Sequence, residues 1–210
     1  MENIFSYDSK FIQALDNITD IIILNLLFII SCIPIITIGT SITSMYYVTL
    51  KMVRDENNSV IKLFIKSFKE NFKISTIVWT LMIVICGVLV IDFKIADLMS
   101  NKSLSIILRV SSIMISMIFI FSFTYVFPII AKFENSIKHT IINSVLISIQ
   151  NLHFTIIMVI LNLLPIILLN LVTSLWPYIL FLYIMSGFSL ISYVNSIFLN
   201  KIFNKYIKAT

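Results

Sequence analysis

Residues 140–200 read TIINSVLISIQNLHFTIIMVILNLLPIILLNLVTSLWPYILFLYIMSGFSLISYVNSIFLN, and these 61 residues contain no Asp, Glu, Lys or Arg. A helix needs about 20 predominantly apolar residues to cross a hydrocarbon core about 30 Å thick. The stretch is therefore long enough for two crossings and a turn. Trp176 and Pro177 mark that turn at an interface, where Trp is favoured. The apolar residues run on without alternating, so the signature of a transmembrane β-strand is missing. Backbone groups in lipid must then be satisfied within helices.

Three other runs lack charge: residues 21–50, 74–91 and 110–131. The chain of 210 residues is 59% hydrophobic and 12% charged, whereas an average soluble domain carries about 25% charged residues. That leaves too few polar groups to cover a soluble surface. The reading is an all-α polytopic membrane helix bundle, a single integral membrane domain over residues 1–210. Five spans are expected, near residues 20–37, 74–91, 104–131, 152–171 and 178–199. Residues 40–53 are ambiguous: an interfacial helix there gives five spans, a short second span gives six.

Amphipathic interfacial helices are expected between the spans. In residues 1–19, Phe11, Ile12, Leu15 and Ile18 recur at helical spacing. After a polar turn at 54–58, with Ser59 as N-cap, Ile61, Phe64, Ile65, Phe68 and Phe72 form an apolar face over 59–73. Lys62, Lys66, Lys69 and Lys73 form a basic stripe beside it, a pattern suited to the headgroups of an anionic leaflet. A third such helix is expected over 137–150, capped by Asn135 or Ser136. Pro128 is expected to kink or end the third long run. Cys32 and Cys86 stand alone in separate apolar runs and read as buried, inert thiols.

Basic residues set the orientation. Residues 51–73 carry six Lys or Arg, 132–138 two and the C-terminal tail three, against Lys94, Lys102 and Arg109 on the opposite side. The positive-inside rule makes the first group cytoplasmic, and the protein multi-pass in the cell membrane with its C-terminus inside. The net charge of +5 flanks apolar runs and forms no soluble basic face, so no nucleic acid partner is expected; the partner is the lipid bilayer. The first twenty residues set Glu2, Asp8, Asp16 and Asp20 against Lys10 and do not read as a cleavable signal peptide. A weak tandem repeat relates about 20–93 to 104–172: residues 28–36 read FIISCIPII and 121–130 read FSFTYVFPII. Placing both Pro-Ile-Ile ends inside puts the N-terminus outside.

The connectors carry a further pattern. Residues 25–50 read NLLFIISCIPIITIGTSITSMYYVTL, residues 64–72 FIKSFKENF and residues 127–135 FPIIAKFEN. Pro34, Thr37, Gly39, Tyr46, Tyr47, Asn71, Pro128, Glu134 and Asn135, in that order, resemble the YesL-like family of bacterial integral membrane proteins, a domain of unknown function. The resemblance covers nearly the whole chain. It implies a link to carbohydrate uptake and a carbohydrate transporter component as partner, and supplies no catalytic residues.

The chain offers little for catalysis. The acids lie in termini and loops rather than paired in a cleft. His139 and His153 lack ligand-spaced companions, and there is no Gly-rich phosphate loop. No catalytic, cofactor or metal site is expected. The expected function is a non-enzymatic accessory or regulatory factor. Lys62, Lys66, Phe68, Lys69, Phe72 and Lys73 would contact a partner or lipid. The alternative is a small transporter or channel acting as an oligomer.

Overall fold

The computed structural model describes residues 2–56, 59–171 and 176–207. Asn57 and Asn58 of the expected turn and Lys208 of the tail lie outside the described residues, as do the side chains of Phe11, Ile12 and Leu15. The fold is all-α: α1 (Glu2–Ser31), α2 (Ile38–Met52), α3 (Val60–Leu98), α4 (Lys102–Lys132), α5 (Ile137–Gln150), α6 (Leu152–Leu171) and α7 (Trp176–Ile207). Helix α7 contains a π-helical turn at Tyr183–Gly187. Among the described residues, α3, α4 and α7 are long and apolar enough to cross a membrane. A fourth crossing results if α5 and α6, bent by 105° at their junction, are taken as one span.

The first expected span is not a single helix. α1 runs unbroken from Glu2, absorbing the expected surface helix, and stops at Ser31. Pro34 follows, and a single 3₁₀ turn, Ile35–Thr37, leads into α2. Residues 40–52 do not lie on the outside of the protein: α2 packs inside the bundle, with Thr40, Ser41, Thr43, Ser44, Val48 and Thr49 fully buried. Its 15 residues span about 22 Å. Asp55 takes a positive φ of 54° just beyond its end, a conformation that Asp tolerates better than most residues.

The expected interfacial helix at 59–73 is also not separate. It continues into the second long run as one 39-residue helix, α3, about 58 Å long. No breaker separates Lys73 from Ile74, and nothing else stops the helix before Leu98. The expected apolar face is only partly turned outward. Val60, Leu63, Phe64, Ser67 and Ser75 are buried, whereas Ile61, Ile65 and Phe72 are exposed. Ser59 is the N-cap residue as expected, but its side chain makes no cap hydrogen bond. Helix α4 passes through Pro128 and ends at Lys132. Helix α5 occupies the expected 137–150, with Ser136 as its cap. Cys86 is exposed and Cys32 half-buried, so neither thiol is buried as expected.

Contacts give the helix directions. Thr43 meets Ser75 and Thr40 meets Thr76, so α2 and α3 are antiparallel. Ser105 meets the Ala96 carbonyl and the Trp79 ring lies 6.3 Å from that of Phe123, so α3 and α4 are antiparallel as well. Asn151 meets Tyr206 and Asn162 meets Asn195, so α6 runs against α7. Tyr46, Leu50, Tyr125, Ile129, Leu199 and Phe203 share one core cluster. The C-terminal ends of α2, α4 and α7 therefore gather at one end of the bundle.

Candidate functional site

The α1–α2 tip explains part of the Pro34–Gly39 pattern. Ile33, Pro34, Ile35 and Ile36 are exposed there, so non-helical backbone adjoins an apolar surface. Such backbone is tolerated at membrane depth only when its polar groups find partners. The Thr37 hydroxyl donates to the Ser31 carbonyl at 2.6 Å or to the Pro34 carbonyl at 2.7 Å. The Trp79 indole N–H donates to the Ile35 carbonyl at 2.9 Å. Gly39 allows α2 to press against α3: a Cβ there would sit 2.5 Å from Trp79 Cβ and 2.7 Å from the Ser75 carbonyl oxygen.

Beside this contact the bundle holds a half-open cavity of about 570 Å³. It lies between α1, α2, α3, α4, α6 and α7, and its walls are mainly aromatic and aliphatic, among them Met45, Trp79, Phe123 and Phe127. No charged residue lines it among those described. A polar group closes one part of the wall. The Asn195 amide donates to Asn162 Oδ1 at 2.9 Å and to the Tyr46 hydroxyl at 3.3 Å. Asn195 Oδ1 is buried without a partner among the described residues. Phe188, also on the wall, follows the π turn of α7. Asn25 stabilises that turn: its amide donates to the Tyr183 and Ile184 carbonyls, and its oxygen accepts from the Ser189 N–H.

A basic surface lies at the end where α2 and α4 finish. Glu56 pairs with Lys51 and Arg54, each at 3.1 Å. Partial burial works against the Glu56 carboxylate. The hydrogen bond from Lys51 and the charges of Arg54, Lys51 and Lys132 outweigh it and hold its pKa below the ordinary value. One carboxylate thus sits among Lys51, Arg54 and Lys132. The neighbouring stripe of Lys62, Lys66, Lys69 and Lys73 is exposed, and Lys66 lies 4.0 Å from Glu70.

The sequence-derived residues separate into distinct places. Thr37 and Gly39 belong to the tip contact, and Tyr46 to the cavity. Tyr47 lies under the Lys51 ammonium, 5.2 Å from its ring centre. The Asn71 amide bonds back to Ser67 on its own helix. Pro128 is buried within α4, Glu134 is exposed and Asn135 half-buried. Phe68 packs against the α1–α2 cluster while Phe72 is exposed, so the phenylalanines of the basic helix face different surroundings. Trp79 was missed as a tip residue; its place in a charge-free run gave no sign of a carbonyl partner 44 positions earlier.

Residues 21–93 match the family model described as a protein of unknown function, DUF624. The match covers the C-terminal third of α1 from Ile21, then α2, and α3 as far as Phe93, and so includes the whole tip. No curated protein matches the chain, and no solved structure does.

Proposed function

We propose that the protein is a non-enzymatic accessory or regulatory membrane factor that engages a partner through its basic end. The exposed Lys62–Lys73 stripe beside Lys51, Arg54 and Lys132 is the observation that carries this reading. It presents fixed positive charge next to exposed Ile61, Ile65 and Phe72, a combination that attracts an acidic or amphipathic surface. The positive-inside rule makes this end cytoplasmic, together with the C-terminus. Because α1 and α2 reverse at Pro34, the N-terminus joins the same side. That favours the six-span arrangement, with the α1–α2 hairpin as its shortest pair. Cysteines placed singly at Lys10 and Lys205 should both resist an impermeant thiol reagent in intact cells and react after lysis; labelling at position 10 in intact cells would overturn the shared side.

The YesL-like resemblance supplies the rest of the reading: a bacterial protein whose partner is a carbohydrate transporter component. Gentle solubilisation and co-purification test it. Recovery of such a component, lost when Lys62, Lys66, Lys69 and Lys73 become Gln, is the expected result. Recovery without any transporter component counts against the reading.

The cavity favours a second reading, a small oligomeric transporter or channel. The expected repeat adds support, since repeats are common in transporters: each half has a long helix, a short hydroxyl-bearing helix (α2 or α5) and another apolar helix. Solute flux into vesicles containing only this protein separates the two.

A further inference from the structure

The cavity has a chemistry of its own. Its rim residues Ile83, Ile120, Leu163 and Phe188 are each between 41% and 45% exposed, and Ile83, Ile120 and Phe188 lie on helices able to cross the membrane. What lies outside the mouth is therefore hydrocarbon rather than water. An apolar cavity of this kind does not fill with water, but it is continuous with acyl chains. Its volume of about 570 Å³ falls within the range of small-ligand sites, about 300–1,000 Å³. A sugar would bury many hydroxyls against walls offering few partners, at a cost for each one left unpaired. A phosphate-bearing headgroup would meet no cation there. The wall does offer Tyr46, Asn162 and Ser192, backed by Asn195.

We propose that this cavity is an intramembrane lipid site, taking a hydrocarbon chain from the bilayer whose uncharged hydroxyl or amide group meets Tyr46 and Asn162 on the wall. The chain enters laterally between the rim residues and packs against Trp79 and Phe123. The inference does not depend on the accessory reading: a failed co-purification leaves it untouched.

The sequence contains two tryptophans, so Trp176→Phe leaves Trp79 as the sole tryptophan, excited selectively at wavelengths where tyrosine does not absorb. This protein is placed in phosphatidylcholine vesicles containing a small mole fraction of diacylglycerol brominated on its acyl chains. A parallel sample carries the same fraction of brominated phosphatidylcholine. The expected result is saturable quenching by the brominated diacylglycerol, several-fold stronger than by the brominated phosphatidylcholine. Adding Cys86→Phe and Leu163→Phe to fill the cavity should remove the saturable part, while Ile107→Phe on the exposed face of α4 should leave it intact. Equal, linear quenching by both lipids would overturn the proposal, as would saturable quenching that survives filling. Should the double filling variant lose its helical content, Leu163→Phe alone carries the same test at the rim.

Discussion

In α2, Thr40, Ser41, Thr43, Ser44 and Thr49 have no exposed surface. In the far part of the α3–α4 hairpin, Val84, Val88, Ile106, Ile113 and Met114 are each more than half exposed. A soluble fold would exchange the two. In lipid, apolar side chains gain little by leaving the solvent, so helix association relies on close packing of small residues and on hydrogen bonds between helices. Helix α2 supplies both. Its hydroxyls bond back to their own helix, as Ser41 does to the Thr37 carbonyl, or across to α3 and α7, as Thr43 does to Ser75 and Thr49 to Ser196. The far hairpin has one exposed ion pair, Arg109–Asp97 at 2.6 Å, and presents its apolar surface outward. The difference teaches that exposure and hydrophobicity together report the solvent, and this surface lies on helices long and apolar enough to cross a membrane.

The largest expected effect would break the comparison if it failed. Val84 is 57% exposed and sits near the middle of the charge-free 74–91 run. On a water-facing surface Val84→Asp would fall within about 0.5 kcal/mol of neutral. At the centre of a membrane helix an Asp costs about 2.5–3.5 kcal/mol. We expect a severe loss of membrane-inserted protein, read as the fraction resisting alkaline extraction. Wild-type insertion would place this part of α3 in water and remove the contrast.

Gly39→Ala tests the other region. Helix propensity alone favours Ala by about 1 kcal/mol. The Cβ, however, would lie 2.5 Å from Trp79 Cβ and 2.7 Å from backbone at Ser75, neither of which can swing aside. Overpacking of this kind costs about 1–3 kcal/mol, so the net sign is destabilising. The expected readout is a lower midpoint in a denaturing-detergent titration. A smaller effect follows from Thr43→Val, which keeps the shape and removes the hydroxyl that meets Ser75 Oγ at 2.9 Å. Interhelical hydrogen bonds in membranes average about 0.6 kcal/mol, because the separated helices also find partners. A midpoint shift smaller than that of Gly39→Ala, in the same direction, is expected; no shift would mean that the hydroxyl satisfies only its own helix, through the Gly39 carbonyl.

Much of this architecture was legible in advance. Charge-free length gave the all-α membrane class, and the limits of α5 and α6 coincide with the expected ones. The limits of α1 and α3 were not legible, because a helix does not end where its surroundings change from headgroup to hydrocarbon. The polar flanks at 2–20 and 60–73 therefore continue into apolar helix. The apolar face expected over 59–73 divides: Phe64 is buried in the bundle, while Ile61, Ile65 and Phe72 stay exposed. In lipid, Ser67 and Ser75 face the protein while Ile61 and Ile65 face away. At the candidate site, Thr37, Gly39 and Tyr46 could be singled out from their pattern. Their roles depend on Trp79 and Asn195, and the π turn depends on Asn25, 158 positions from Tyr183. Contacts at such separation leave no periodic trace in a single chain.

The smallest expected effect places the same residue type on the other side of the comparison. Gly87 lies in the exposed part of α3, and a Cβ added there would meet nothing within 4 Å. Gly87→Ala therefore creates no overlap and reduces the backbone freedom of the unfolded chain. In water that gain reaches about 1 kcal/mol. In a bilayer the separated helices are already helical, so most of the gain is present before they associate. The midpoint in the same detergent titration should stay unchanged or rise slightly. A clear fall would mean that an unseen surface, such as a second copy of the chain, presses on α3 at Gly87. The far hairpin would then be an interface rather than a wall facing lipid.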